Sequence, residues 1–392
     1  MGTTPQIFAR VALGGILAWC SPSPGAPPAS VRVPGVLTAP PDRVPRSSRD
    51  PAALPPNPLV SRSKRVAGWS SLQFPGLRNI NDGDYSTAWG AGRPTPEEPA
   101  WVAIDVGPGP RRVLVNWCAA GSYNYEETDY GSPGAYRLQT SGDSTDGKDG
   151  TWRTVVEVLA VTTHGQAHVV DFAGQRWVKL VVTQTPAQSP NGVQLSELDV
   201  HDVTEGASDS WFFVGDSITA LSFNRAPGHQ PSFAAWVNEH RPDYFPAMID
   251  GGTGGYKSDE GAAHIDDWLA RNPDLHFWAV MYGTNDAAGN SSDTSRFRAN
   301  MRTIVDRIRA AGRVPILATI PYSSDGQHNS IPDFNLVLEE IRTTNALPLG
   351  PDLYKWFAAH PDELRDGIHP TDRGVVSINR LWGEAVDPLY PR

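Results

Sequence analysis

The sequence predicts a chain in two folded parts, an all-β antiparallel sandwich followed by an α/β domain built on a parallel sheet. Two textures carry this reading. From residue 61 to about 203, short β-rich runs alternate with Gly, Pro, Asn and Asp turns, with no helical period. After Asp209, continuous apolar runs alternate with amphipathic helical stripes, the pattern of strands buried on both faces beneath helices. A third observation sets both parts off from the N-terminus: residues 21–58 contain 12 prolines.

At the N-terminus, Arg10 precedes an apolar run at 11–19, the length of a signal-peptide core and too short to span a bilayer. Residues 1–20 are therefore expected to be a targeting segment. Leu17-Ala18-Trp19-Cys20 has the layout of a bacterial lipoprotein processing site, although Trp19 is bulkier than the small residue usual there. A secreted or cell-surface location is expected, with Cys20 as the lipid-bearing residue if the site is processed. Residues 21–60 cannot bury enough apolar surface to offset chain entropy and are expected to be a mobile linker.

Residues 61–205 supply the sandwich, with strands expected at 101–106, 113–117, 135–140, 154–158, 167–172, 177–183 and 193–201. Residues 206–392 supply the α/β domain, with strands at 211–214, 277–281 and 314–320 and an apolar stretch at 245–249. The clearest helix covers 294–311, where Phe297, Met301, Ile304, Val305 and Ile308 form one stripe ending at Gly312. Phe334, Val337, Leu338 and Ile341 form a second stripe. These elements are enough to expect a self-contained doubly wound core.

The 392 residues carry a net charge of −10 and a pI near 5.5, which argues against a nucleic-acid binder. No later stretch has the apolar length of a transmembrane span. Two cysteines, Cys20 and Cys118, exclude a disulfide framework or a cysteine zinc site.

The chemistry-bearing strings are Gly215-Asp216-Ser217 and, near the end, Asp366-Gly367-Ile368-His369-Pro370. A serine hydroxyl becomes a nucleophile when an imidazole takes its proton, and the imidazole needs an acid that fixes its tautomer and balances its charge. Asp366 and His369 offer both partners from one turn. Each string also has a plainer reading: Ser217 as a helix N-cap and 366–370 as a surface turn. Between them stand the glycine-rich loop Asp250-Gly251-Gly252-Thr253-Gly254-Gly255 and Gly283-Thr284-Asn285-Asp286, each following an apolar run. In parallel sheets, ligands bind outside the carboxyl ends of the strands, and Ser217, Gly255 and Asn285 all fall there.

These four blocks, in this order over about 209–392, resemble the SGNH hydrolase (GDSL-type esterase) family. The resemblance implies a three-layer, flavodoxin-like parallel-sheet fold. It implies a catalytic triad of Ser217, His369 and Asp366, an oxyanion hole made by the Ser217 and Gly255 N–H groups and the Asn285 amide, and no cofactor for catalysis. One departure is Asp250, where the family's second block usually has Asn; this puts a loop hydrogen bond in question.

In the first part, Asn81-Asp82-Gly83-Asp84 with Ser86-Thr87-Ala88-Trp89, 101–107, 136–141 with Trp152, 177–183 and 193–198 are similar to the discoidin-like (factor V/VIII type C) family. Asp82, Asp84, Thr87 and Glu197 are then candidate oxygen ligands for a structural calcium. Tyr123, Tyr125 and Tyr130, in a polar loop, are candidate sugar-stacking residues. The leading expectation is an exported serine esterase acting on acylated, above all O-acetylated, carbohydrate. A lipase-like esterase on lipid or small-molecule esters is the first alternative. A non-catalytic protein that binds carbohydrate or a surface is the second.

Overall fold

The computed structural model describes residues 53–391, apart from 74, 122, 129–130, 188 and 190–191. The targeting segment, Cys20, most of the expected linker and Tyr130 lie outside the described residues.

The antiparallel strands are β1 (Val66–Trp69), β2 (Trp89–Gly92), β3 (Ala100–Asp105), β4 (Arg112–Ala119), β5 (Ala135–Ser141), β6 (Arg153–Val158), β7 (Gly165–Asp171), β8 (Trp177–Gln184) and β9 (Val193–Asp202). They form two sheets, ordered β1-β3-β8-β5-β6 and β2-β9-β4-β7. Strands β1 and β2 were not foreseen. Each is a four-residue edge strand, and the Trp-Gly-Ala-Gly of β2 leaves no alternation to read. Val102, Leu138 and Leu180 from one sheet meet Val115, Trp117 and Leu198 from the other in a common core.

The chain continues as β10 (Ser210–Gly215), α1 (Ser217–Phe223), α2 (Phe233–His240), β11 (Ala247–Gly252), α3 (Ser258–Arg271), β12 (Phe277–Met281), α4 (Thr294–Ala310), β13 (Val314–Leu317), α5 (Ile331–Thr344), α6 (Leu353–Ala359) and α7 (Asp372–Val386). All ladders in this sheet are parallel, in the order β11-β10-β12-β13. Alternate residues of β10 face opposite layers. Trp211 and Phe213 pack with Phe223, Phe233 and Trp382, whereas Phe212 and Val214 pack with Trp268, Trp278 and Ile304. The expected strand at 314–320 leaves the ladder after Leu317. The backbone N–H and carbonyl of Ile320 are instead satisfied by the Asn335 side chain.

The α/β part is not the self-contained core expected from its elements. Strand β4 sends Val113, Val115 and Trp117 into the sandwich core, but Leu114 points the other way. Leu114, Tyr125, Ala167 and Val169 complete the cluster that holds Phe212, Ile249 and Trp268. The sheet β2-β9-β4-β7 is thus buried on both faces. A polar lock sits beside it: Arg225, buried and with φ of 55°, reaches Asp199 at 3.1 Å and the Met248 carbonyl at 2.7 Å and lies over the Tyr85 ring.

The end of the expected linker also belongs to the folded body. Leu54 is buried, the Asn57 amide donates to the Asp209 carbonyl at 2.8 Å, and Val60 N–H donates to Val200 at 2.8 Å. Residues 53–60 therefore strap the two parts together, with Leu54 rather than proline supplying the apolar anchor.

Candidate active site

Ser217 begins α1 immediately after β10, and the helix cap falls to its neighbour. Asp216 is the N-cap, its carboxylate accepting from Ile218 N–H at 2.9 Å. Burial pushes Asp216 up to about 7, against the pull of the Ile218 bond. With the cap supplied by Asp216, the Ser217 hydroxyl is available elsewhere and lies 2.9 Å from His369 Nε2.

The His369 ring is oriented by Asp366, whose Oδ2 is 2.8 Å from Nδ1. The other oxygen, Oδ1, accepts the backbone N–H groups of His369 at 2.7 Å and Ile368 at 3.0 Å. Partial burial pushes the Asp366 carboxyl up, but the His369 and Ile368 hydrogen bonds outweigh it and hold the group down at about 2. Asp366 is therefore an anion and an acceptor only. In the neutral ring the proton then sits on Nδ1, and Nε2 is the nitrogen able to accept from Ser217. The turn is bolted down from outside: the Gly367 carbonyl accepts from Ser323 Oγ at 2.8 Å and Ser324 N–H at 2.9 Å.

The glycine-rich loop runs off the end of β11. Gly255 has φ of +80°, a conformation that excludes most side chains. A Cβ there would meet open space, so backbone conformation rather than crowding explains this glycine. Among the described residues, neither the Ser217 nor the Gly255 N–H has a hydrogen-bond partner. Asn285 joins this loop through its amide, which donates to the Tyr256 carbonyl at 2.9 Å. Asp286 secures the same turn by accepting from Ser258 N–H at 3.0 Å and from its hydroxyl at 2.5 Å. Asp250 accepts from Gly252 N–H at 2.9 Å through Oδ1, while its Oδ2 is buried without a partner among the described residues.

Residues 213–375 match the GDSL-like lipase/acylhydrolase family. The C-terminal half is a GDSL/SGNH acylhydrolase domain. The protein is accordingly a carboxylic ester hydrolase, and hydrolases of this family need no cofactor for catalysis. A comparison with curated proteins gives no match. Among solved structures, the chain is similar to a lipase/acylhydrolase from Enterococcus faecalis (24% identity, 45% of this chain and 94% of that one, TM-score 0.39). It is also similar to an acetyl xylan esterase (20% identity, 45% and 99%, TM-score 0.39) and to an acetylxylan esterase from Geobacillus stearothermophilus (18% identity, 47% and 94%, TM-score 0.37).

The sandwich residues singled out in the sequence fare differently around this acylhydrolase domain. Tyr125 cannot stack on a sugar. It is fully buried, packed 5.0 Å from Phe212, with its hydroxyl accepting from Asn272 at 2.7 Å. Tyr123 is half-buried beside Ser217, its hydroxyl 3.5 Å from the Ser217 carbonyl. Sequence reasoning missed Asn124 and His164, which touch the glycine loop; no local pattern marks them, because their partners lie over 80 residues away.

Around the expected calcium site, Asp82 accepts from Asp84 N–H and the Thr87 hydroxyl, Asp84 accepts from Ser86, and Glu197 accepts from Gly83 N–H at 2.6 Å. Among the described residues, no three His, Cys, Asp or Glu side chains are grouped to hold a metal ion. Burial and the neighbouring Asp199 also push Glu197 well above the usual carboxylate range, which favours its neutral form. The hydrogen bonds of these side chains cap their own loop.

Proposed function

We propose that the protein is an exported serine esterase that removes short acyl groups, O-acetyl above all, from carbohydrate. The observation that carries the reading is the continuous row Asp366–His369–Ser217, closed by hydrogen bonds of 2.8 and 2.9 Å. In this reading Ser217 attacks the ester carbonyl while His369 Nε2 takes its proton. Asp366 balances the resulting imidazolium charge. The tetrahedral oxyanion accepts from the N–H groups of Ser217 and Gly255 and from Asn285. His369 returns its proton to the leaving alcohol, then activates the water that hydrolyses the acyl-serine.

Support for carbohydrate comes from the sandwich surface. Trp69, 43% exposed, stands directly opposite Trp101 across the β1–β3 ladder, so both indoles project from the same face. The Lys179 ammonium lies over the Trp101 and Trp152 rings at 4.5 and 3.4 Å and braces them. Such a face suits stacking against sugar rings. Export is part of the same proposal and rests on the apolar run at 11–19 before Cys20; the mass of the mature N-terminus from a bacterial host tests it.

A fluorophosphonate probe should label the protein stoichiometrically at Ser217, and Ser217→Ala should abolish ester hydrolysis with the fold intact. Labelling at another residue would overturn the nucleophile assignment. Against a panel of acetylated polysaccharides and lipid esters, the polysaccharides should be preferred; a preference for lipid esters replaces carbohydrate with a lipase-like substrate.

A further inference from the structure

We infer that the sandwich loop at 123–125 is a working part of the esterase site, with Asn124 positioning the oxyanion loop and Tyr123 determining which esters fit. The inference rests on the esterase reading above.

A loop with four glycines in six residues has wide backbone freedom and few side chains with which to pack. Something outside it must hold its N–H groups in place. Every second residue of this loop is held by the sandwich. The Asp250 carbonyl lies 3.1 Å from His164 Nε2, the Gly252 carbonyl accepts from Tyr125 N–H at 3.0 Å, and Gly254 N–H donates to Asn124 Oδ1 at 2.7 Å. The next residue is Gly255, the proposed oxyanion donor. Asn124 is itself fixed: its amide donates to Glu127 at 2.5 Å, and its carbonyl lies 3.0 Å from His164 Nδ1. Burial pulls His164 down to about 4, so the neutral ring donates to one of its two carbonyls and meets the other without a proton. Asn124, whose bonds need no such choice, is the firmer brace.

Tyr123 lies against Gly254, where a Cβ would come within 3.2 Å of the tyrosine ring, and its hydroxyl reaches the Ser217 carbonyl. Burial and the nearby Asp216 push the phenol up to about 12, so it stays neutral. The ring therefore stands beside both the serine and the oxyanion loop, where a bulkier ester would meet it.

The test uses full-length variants assayed on p-nitrophenyl acetate and butyrate. Asn124→Ala should lower kcat about tenfold or more, with KM changed by less than about twofold, because a displaced donor acts on the transition state. The double variant Asn124→Asp with Glu127→Gln exchanges donor and acceptor between the pair while keeping an oxygen for Gly254 N–H. It should recover kcat to within about threefold of wild type. Tyr123→Ala should raise the butyrate-to-acetate ratio of kcat/KM at least about threefold, and Tyr123→Phe should leave it unchanged. An Asn124→Ala protein with wild-type kcat, even if it melts earlier, overturns the positioning role. An unrescued double variant that is folded by circular dichroism does the same. An unchanged ratio in Tyr123→Ala overturns the specificity role. A wild type inert to every ester overturns the esterase reading instead, and this inference with it.

Discussion

Replacing Asp366 by Asn and by Ala separates two jobs that the carboxylate performs together. The asparagine oxygen can still accept the Ile368 and His369 N–H groups, so the turn should keep its shape. Its amide nitrogen then faces Nδ1, which must accept rather than donate. The proton moves to Nε2, and the ring can no longer take one from Ser217. The charge that balances the imidazolium is lost as well. At about 4 Å and an effective dielectric of 20 that attraction is about 4 kcal/mol. With the Asp366 side chain 50% exposed, solvent screening reduces it to about 2 kcal/mol, or roughly 30-fold in rate. With the tautomer cost added, kcat should fall about 10² to 10³-fold, less than the roughly 10⁴ known for a buried triad aspartate. Asp366→Ala leaves the tautomer free but removes the acceptor for both backbone N–H groups. It should therefore lose less kcat than Asn while lowering Tm by several degrees. The assay is steady-state kinetics on a chromogenic acetate ester beside calorimetric melting of both variants. If Ala proves the slower enzyme, Asp366 acts by shaping the turn, and the tautomer argument fails.

Other outcomes follow from the same contacts. Asn285→Ala should reduce kcat by about 10² to 10³ with KM nearly unchanged, the signature of a lost oxyanion donor; an unaltered kcat would make Asn285 a turn residue only. Burial pushes Asp209 up to about 7, against bonds from Trp211 and Tyr390. The folded state therefore keeps a proton that the unfolded chain loses above about pH 4, so Asp209 by itself contributes a fall in stability as pH rises from about 4 to 7. Asp209→Asn should remove that contribution, worth about 4 kcal/mol across the window, seen as the difference between wild-type and variant melting curves; identical pH slopes would clear Asp209. A fragment covering 206–392 should expose Phe212, Ile249 and Trp268 where Leu114, Tyr125, Ala167 and Val169 now cover them. It should bind a hydrophobic dye and lack a cooperative melt, whereas a well-folded fragment would show that the sandwich contributes no core.

The local signals in this chain were strong wherever one element supplied them. The stripe from Phe297 to Ile308 placed a helix at 294–311, and α4 spans Thr294–Ala310. The apolar runs at 211–214 and 277–281 became β10 and β12. Ser217, Asp366 and His369 could be singled out by residue type and by the short turn from 366 to 369, and the structure brings the three side chains within hydrogen-bond distance. The reading failed where a residue's role depends on a distant partner. Tyr125 looks like a loop aromatic in sequence, but its surroundings are Phe212 and Asn272. Leu54 follows a proline-rich stretch and is nevertheless buried, because Leu389 accepts its N–H and Tyr244 donates to its carbonyl.

Periodicity and residue type by themselves determined an antiparallel part, a parallel α/β part and the chemical identity of the serine, histidine and aspartate. These follow from interactions within a few residues, which any window of sequence displays. Only the tertiary structure decided that β4 is buried on both faces and that Asp216 rather than Ser217 caps its helix. It alone also decided that Asn124 and Tyr123 reach the glycine loop from the other part of the chain. Those outcomes depend on which surfaces meet once two sheets pack, and a chain carries no local mark of the partner that will cover it.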